Sequence, residues 1–141
     1  RQFVAHPSAA MRKLAHVMKS HWQEGFGAEY NPNRKEALTC LDVVTDLDEA
    51  IHKIDLQAGT LPKLVASSAR AGERRLAFPQ LRQMLAGDEQ YLLMLGTGWG
   101  MSEQLIQRAD YFLEPIRGGG EYNHLSVRSD CAIMLLSLIH I

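Results

Sequence analysis

Two glycine-rich stretches carry the main-chain chemistry that this sequence can offer. Leu92-Leu-Met-Leu-Gly-Thr-Gly-Trp-Gly-Met-Ser102 runs an apolar, strand-like segment into a glycine turn and on to a helix start. Pro115-Ile-Arg-Gly-Gly-Gly-Glu-Tyr-Asn-His-Leu-Ser-Val-Arg-Ser129 follows the apolar run Tyr111-Phe-Leu113 and opens a helix-like segment. Glycine takes φ > 0 without steric cost and leaves its N–H and C=O bare, so both loops can bring backbone donors and acceptors against a small molecule. Ser67-Ser-Ala-Arg70 is a third loop after a short apolar run. Ligands of open α/β sheets bind at the carboxyl ends of strands, where all three loops fall. Arg117 and Arg128 are the cations beside the triple glycine, and a guanidinium fork suits a phosphate or a carboxylate. Asn123 or Ser126 can cap the helix that carries Arg128. No serine, histidine and aspartate set resembles a hydrolase triad, and no His, Cys or carboxylate spacing fits a metal ligand set.

Strand-like and helix-like runs alternate along the chain, which predicts an α/β fold with a mainly parallel sheet and helices on both faces. A strand over Gln2-Phe-Val-Ala5 precedes a helix from about Ser8 to Trp22, with Met11, Leu14, Ala15, Met18 and Trp22 on one face. Arg12, Lys13 and Lys19 lie off that stripe. Gly25, Gly27, Asn31 and Pro32 mark a loop, and Asn33 with Glu36 reads as a capping-box variant for a helix to about Leu41. Val43 and Val44 form a short strand, and Thr45 can cap a helix carrying Leu47, Ala50, Ile51 and Ile54. Lys63-Leu-Val-Ala66 is a short apolar run. Pro79 suits the first turn of a helix that Gly87 ends. Tyr91 to Leu95 is uninterruptedly apolar, the pattern of a strand covered on both faces.

The chain has 141 residues, 46% hydrophobic and 22% charged, the composition of an ordinary globular domain. A net charge of −1 excludes a broadly basic nucleic-acid binder, so any RNA contact must come from a local patch. His16, His21, Trp22, Phe26, Tyr30, Arg34 and Lys35 form such an aromatic and basic cluster, suited to base stacking and phosphate contact. Cys40 and Cys131 form no disulfide framework, and a reduced, cytoplasmic setting is expected. No apolar run is long enough to span a membrane. Residues 1–135 are read as one domain. The last six residues, Leu136-Ser-Leu-Ile-His-Ile141, match what a transposon sequencing adaptor encodes in frame and are expected to be non-native.

The pair of glycine motifs, with Tyr122-Asn-His-Leu-Ser-Val-Arg-Ser129 opening the last helix, resembles the SPOUT superfamily. These are RNA methyltransferases that use S-adenosylmethionine (SAM) and share a trefoil-knotted α/β fold. The resemblance is in particular to small bacterial proteins described as RNA methyltransferases, related to the tRNA guanine-N1 methyltransferases. It extends more loosely from His21-Trp-Gln-Glu-Gly-Phe-Gly-Ala-Glu-Tyr-Asn-Pro-Asn-Arg-Lys-Glu-Ala37 onward. The resemblance implies a homodimer that methylates tRNA or rRNA, with the knot in the C-terminal part of the chain. It implies SAM contacts from Ser67, Gly96, Thr97, Gly98, Gly100, Ile116, Gly118, Leu125 and Ser126. Arg117 and Arg128 are the candidate substrate contacts, and Arg128 and Asn123 the candidate catalytic residues.

Three features qualify that expectation. The first motif of the family falls before Gln2 and the last helix is cut short by the adaptor-like residues, so the fold is expected to be incomplete at both ends and the fragment inactive by itself. No general base can be named, because the first motif, which often supplies a catalytic residue, is missing and Gly98 or Trp99 stands where some branches carry a glutamate. Asp130 is a charge where relatives tend to have a small residue, costly inside a packed helix unless paired. The alternative is a non-catalytic domain of the same fold that binds a nucleotide or RNA. A dinucleotide-binding reading, with Gly96-Thr-Gly98 after a strand and Glu114 as the ribose-binding acid, has its third glycine at Gly100, one place early for G-x-G-x-x-G.

Overall fold

A computed structural model describes residues 1–67, 75–97, 100–120 and 124–140. The chain divides into two compact units, Arg1–Gly59 and Thr60–Ile141. In the first unit the order is β1 (Gln2–Ala5), α1 (Ala9–Gln23), α2 (Phe26–Tyr30), α3 (Pro32–Thr39), β2 (Leu41–Val44) and α4 (Leu47–Ala58). β1 and β2 pair in parallel, with Gln2 opposite Leu41 and Ala5 opposite Val44. Parallel neighbours need a crossover, and the three helices between them supply it. Val43, Val44 and Ala50 form the buried apolar centre of this unit.

Cap chemistry explains where these helices begin, and it corrects two expected starts. Asn31, not Asn33, caps α3: its Oδ1 accepts from the Arg34 amide at 3.0 Å, and Pro32 takes the first helical position. Proline's fixed φ is already helical and its missing N–H is not needed there. Asp46, not Thr45, caps α4 by accepting from the Glu49 amide at 2.9 Å. Glu49 in turn accepts from the Thr45 amide at 2.7 Å. That bond holds the Glu49 carboxyl below its ordinary value, so its contribution persists at neutral pH and fades as pH falls through the lowered value. Gly59, at φ 73°, ends α4 in the left-handed cap that glycine favours.

Helix α1 turns differently from the expectation. Its half-buried side carries Arg12, Ala15, Lys19 and Trp22, while Met11, Leu14, Val17 and Met18 are 48 to 58% exposed. Arg12 donates to the carbonyls of His6 and Pro7, at 2.8 and 2.6 Å, and the Lys19 ammonium donates to the Leu41 carbonyl. Long basic side chains can cover apolar surface with their stems when the charged head finds oxygen. Here that geometry outcompetes the hydrophobic periodicity.

The second unit holds β3 (Lys63–Ser67), β4 (Arg75–Leu76), α5 (Phe78–Leu85), β5 (Tyr91–Met94), α6 (Glu103–Gln107), β6 (Tyr111–Leu113) and α7 (Val127–Leu135), then a π-helical turn over Leu136–His140. The strands lie in the order β4-β6-β3-β5, and each neighbouring pair is parallel. The α/β alternation and parallel pairing match the expectation, with the strands divided between two sheets.

The fully covered strand is β3, whose Leu64, Val65 and Ala66 are buried; Tyr91 to Leu93 of β5 are half-buried. Among the described residues β5 is the end strand of its sheet, whereas β3 lies between two neighbours. Val65, Leu81, Leu113, Met134 and Leu138 form the core. Leu138 belongs to the segment read as adaptor-encoded, and Arg82 of α5 donates through Nε to the neighbouring Ser137 carbonyl at 2.9 Å. Among the described residues, no helix is long and apolar enough to cross a membrane.

Candidate functional site

The register places three strand ends side by side. Ala66 of β3 lies opposite Met94 of β5, and Ser67 of β3 opposite Leu113 of β6. The loops that follow β5 and β6 therefore leave the sheet at one edge, flanking the end of β3. Ser67 works within this frame: its hydroxyl donates to the Met94 carbonyl at 3.1 Å and ties β3 to β5.

The loop after β5 is closed by its own backbone. Thr97 and Gly100 bridge, with the Gly100 amide donating to the Thr97 carbonyl at 2.6 Å. A Cβ on Gly96 would lie 2.7 Å from the Gly100 carbonyl carbon and 2.8 Å from the Met101 nitrogen. Gly100 has φ 78°, a conformation costly for a residue with a Cβ. Both glycines are thus required by the turn itself. Gly98, with Trp99, lies outside the described residues. Ser102 caps α6 by accepting from the Leu105 amide at 3.3 Å.

The loop after β6 has a different logic. Glu114 anchors its start: its amide donates to the Leu76 carbonyl at 2.9 Å, and its carboxylate accepts from the Phe78 amide at 3.0 Å. Glu114 is thereby engaged at the start of α5, which takes from the dinucleotide-binding reading the acid it needs for a ribose. Ile116 packs half-buried against the core, and Arg117, Gly118, Gly119 and Gly120 are exposed. Among the described residues, a Cβ on Gly119 or Gly120 would meet nothing within 4 Å, and neither has a positive φ. The packing of the described residues does not require glycine at either position. Bare backbone there leaves room for something else, and these two residues are the part of the candidate site that motif matching left unnamed. The run of three glycines was the signal for them.

At the start of α7, Ser126 is the cap, accepting from the Ser129 amide at 3.2 Å. Asn123, the other candidate, lies outside the described residues. Asp130 is half-buried in the first turn of α7, where the partial positive charge of the helix start favours an anion. Arg128 is exposed in that same turn, the wrong end of a helix for a cation. Neither the Arg128 nor the Arg117 side chain has a hydrogen-bond or ion-pair partner among the described residues. Leu125 is exposed beside them.

Comparison with known proteins gives this arrangement a family. A family model described as SAM-dependent RNA methyltransferase matches residues 1–140. A tRNA (guanine-N(1)-)-methyltransferase of Oleidesulfovibrio alaskensis is 36% identical over 133 residues, covering 94% of this chain and 31% of that one. A protein of the same name from Nitratidesulfovibrio vulgaris is 34% identical over 137 residues, with coverage of 97% and 32%. An Aquifex aeolicus protein is 34% identical over 134 residues, with coverage of 94% and 65%. The chain thus spans about a third of the two named relatives and under two thirds of the third. A probable methylase family protein from Haemophilus influenzae shares the fold, with a TM-score of 0.64 at 16% identity over 98% of this chain and 62% of that one. With its parallel sheet, its glycine loops at one sheet edge and a family match from its first residue nearly to its last, the chain belongs to the SAM-dependent RNA methyltransferase family.

Proposed function

We propose that the chain supplies the SAM-binding part of an enzyme that methylates tRNA or rRNA. The observation that carries this reading is the bare backbone of Gly119 and Gly120, in the loop that leaves β6 at the sheet edge where β3 and β5 also end, and open where the described residues need no glycine. SAM brings a methyl group activated on a sulfonium. The chain's task is then to hold that methyl in line with an RNA atom. Main-chain groups of the two loops suit adenine and ribose, Ile116 and Leu125 offer apolar contact, and Arg128 or Arg117 pairs with the amino-acid carboxylate or an RNA phosphate. The guanine N1 atom is not carried over, since it names relatives that are two thirds unmatched. The reading includes a C-terminal trefoil knot, for which the family resemblance is the support, and a cytoplasmic setting, for which the two cysteines without a disulfide framework are the support.

Calorimetry with SAM and S-adenosylhomocysteine tests the proposal. Micromolar binding is expected, and binding of NAD without SAM would overturn it. With the full-length protein, label passing from tritiated SAM into tRNA or rRNA marks the enzyme, whereas cofactor binding without transfer marks a non-catalytic domain. Arg128→Ala is expected to weaken one ligand by about 1.5–3 kcal/mol, the range for a charged hydrogen bond, with the melting temperature unchanged. Loss of SAM affinity places Arg128 at the cofactor, and loss of RNA affinity alone places it at the substrate. Arg128→Lys should recover only part, because an ammonium cannot pair bidentately.

The same reading includes a homodimer. Support comes from α1, where Met11, Leu14, Val17 and Met18 leave an uncharged apolar face exposed, and from exposed Leu125, Ile133 and Leu135 in and beside α7. Exposed apolar patches of this kind mark contacts, and an uncharged face can meet its own copy across a two-fold axis without repulsion. Light scattering of the full-length protein at tens of micromolar should give twice the monomer mass, and Leu14→Glu should return it to one. A monomeric full-length protein would remove the dimer from the reading.

A further inference from the structure

We propose that the corner formed by α1, α2 and α3 is a second RNA contact, which takes unpaired nucleotides by stacking them on Phe26 and Tyr30. The inference rests on the reading above that the partner is RNA, and it adds a surface that the glycine loops do not include. Phe26 and Tyr30 sit four residues apart on α2, so they share one face. Their rings stack at 6.3 Å with an interplanar angle of 22°, and each residue is 74% exposed. Two large aromatic rings presented together to solvent contribute little to a core.

The platform is held firmly from below. A Cβ on Gly27 would come within 2.6 Å of Trp22 Cε3, so α2 lies directly on the indole. The Arg34 guanidinium lies 4.2 Å from the Trp22 ring centroid, and the His21 ring meets the indole edge-on at 5.2 Å. Gly25 donates to the Ser20 carbonyl at 3.2 Å and Asn31 to the Gly27 carbonyl at 2.9 Å, which fixes both ends of α2. Trp22 is spent on this support, which leaves Phe26 and Tyr30 as the rings free to receive a base.

Cations stand beside the rings. Residues 1–41 hold six Lys and Arg against three Glu; Arg1 pairs with Asp42, and Arg12 and Lys19 donate to backbone carbonyls, which leaves Lys13, Arg34 and Lys35 facing solvent with Glu24, Glu29 and Glu36. Arg34 and Lys35 follow Tyr30 at the start of α3, and both are exposed. Aromatic faces interleaved with cations are the combination that binds single strands, because every base has a π-face and every nucleotide a phosphate.

The test is fluorescence anisotropy of a labelled, unstructured 12-nucleotide RNA titrated with the 141-residue chain at low salt. The expected result is measurable binding that falls at least tenfold in the Phe26→Ser, Tyr30→Ser double variant, about the cost of losing a stacked base. The conservative pair Phe26→Tyr and Tyr30→Phe should bind like the parent. Lys35→Ala should reduce the slope of log affinity against log salt by roughly one. SAM affinity, measured in parallel, separates this inference from the cofactor reading: RNA binding lost in the double variant supports the platform even if the parent binds no SAM. The proposal is overturned if the parent binds no RNA, if the double variant binds as well as the parent, or if a duplex of equal length binds as tightly as the single strand. It is equally overturned if the double variant lowers the oligomeric mass and leaves RNA affinity alone, since the surface would then be a protein contact.

Discussion

Gly96→Val and Gly120→Val should fail in opposite ways. The first is expected to damage the fold, and cofactor binding only as a consequence. A Cβ at position 96 would sit 2.7 Å from the Gly100 carbonyl carbon, and both colliding groups are backbone, which cannot rotate away as a side chain can. The turn between β5 and α6 must therefore open, at a cost of about 1–3 kcal/mol or more, the range for forcing atoms into filled space. At position 120 the same substitution meets open space and a backbone without positive φ. Stability should stay the same or rise slightly, because replacing glycine narrows the unfolded ensemble. SAM binding should nevertheless fall more than a hundredfold if the proposed site is right, because a branched side chain would occupy the space that the proposal gives to the cofactor. Thermal melting and calorimetry on the two variants decide the matter. Unchanged SAM affinity in a folded Gly120→Val protein would make the triple glycine a mere connector and remove the principal support for the site.

Leu113→Ala should be the most destabilising single truncation in the second unit. Leu113 is 0% exposed, sits at the end of β6, and belongs to the cluster with Val65, Leu81, Met134 and Leu138. Removing three buried carbons loses their transfer energy and leaves a cavity that the sheet cannot collapse to fill, for about 2–5 kcal/mol. That is a large fraction of the stability of a small domain. The residue also sets the point from which the loop carrying Glu114 and Gly118 to Gly120 departs. Urea titration should show the midpoint fall with little change in slope, and SAM affinity should decline at temperatures where the variant is still folded. By contrast Leu14→Ala, on the exposed face of α1, should move the midpoint by little at concentrations where the protein is monomeric. Equal effects at the two positions under that condition would mean that Leu14 is covered within the monomer.

Much of the fold could be read directly from the residues because it follows from local physics. β1 over Gln2–Ala5, the start of α1 after Ser8, β6 over Tyr111–Leu113 and the glycine turn after β5 all follow from apolar runs bounded by turn and cap residues. Strands alternating with helices determined a parallel sheet, because a parallel pair requires a crossover. The two glycine motifs in series also pointed to a SAM-dependent RNA methyltransferase, the family to which the chain belongs. What the sequence left open depends on competition between neighbours. Asn31 and Asp46 displaced Asn33 and Thr45 as caps because the cap belongs to whichever side chain reaches a free amide, and that depends on where the preceding chain ends.

Tertiary structure alone decided the face of α1. Met11, Leu14 and Met18 have the period of a core stripe, yet the carbonyls of His6, Pro7 and Leu41 draw Arg12 and Lys19 to the inner side, and periodicity carries no record of such acceptors. It likewise separated the glycines. Gly96 and Gly120 are the same residue in similar loops, and only the position of another stretch of backbone, close to the first and absent from the second, shows that one serves the turn and the other leaves space. Glu114 followed the same rule: in sequence it is an acid after a strand, and its engagement at the start of α5 depends on Phe78, thirty-six residues away along the chain. Chemical type and spacing are written along the chain, whereas the distance between segments remote in sequence is set only when the whole core closes.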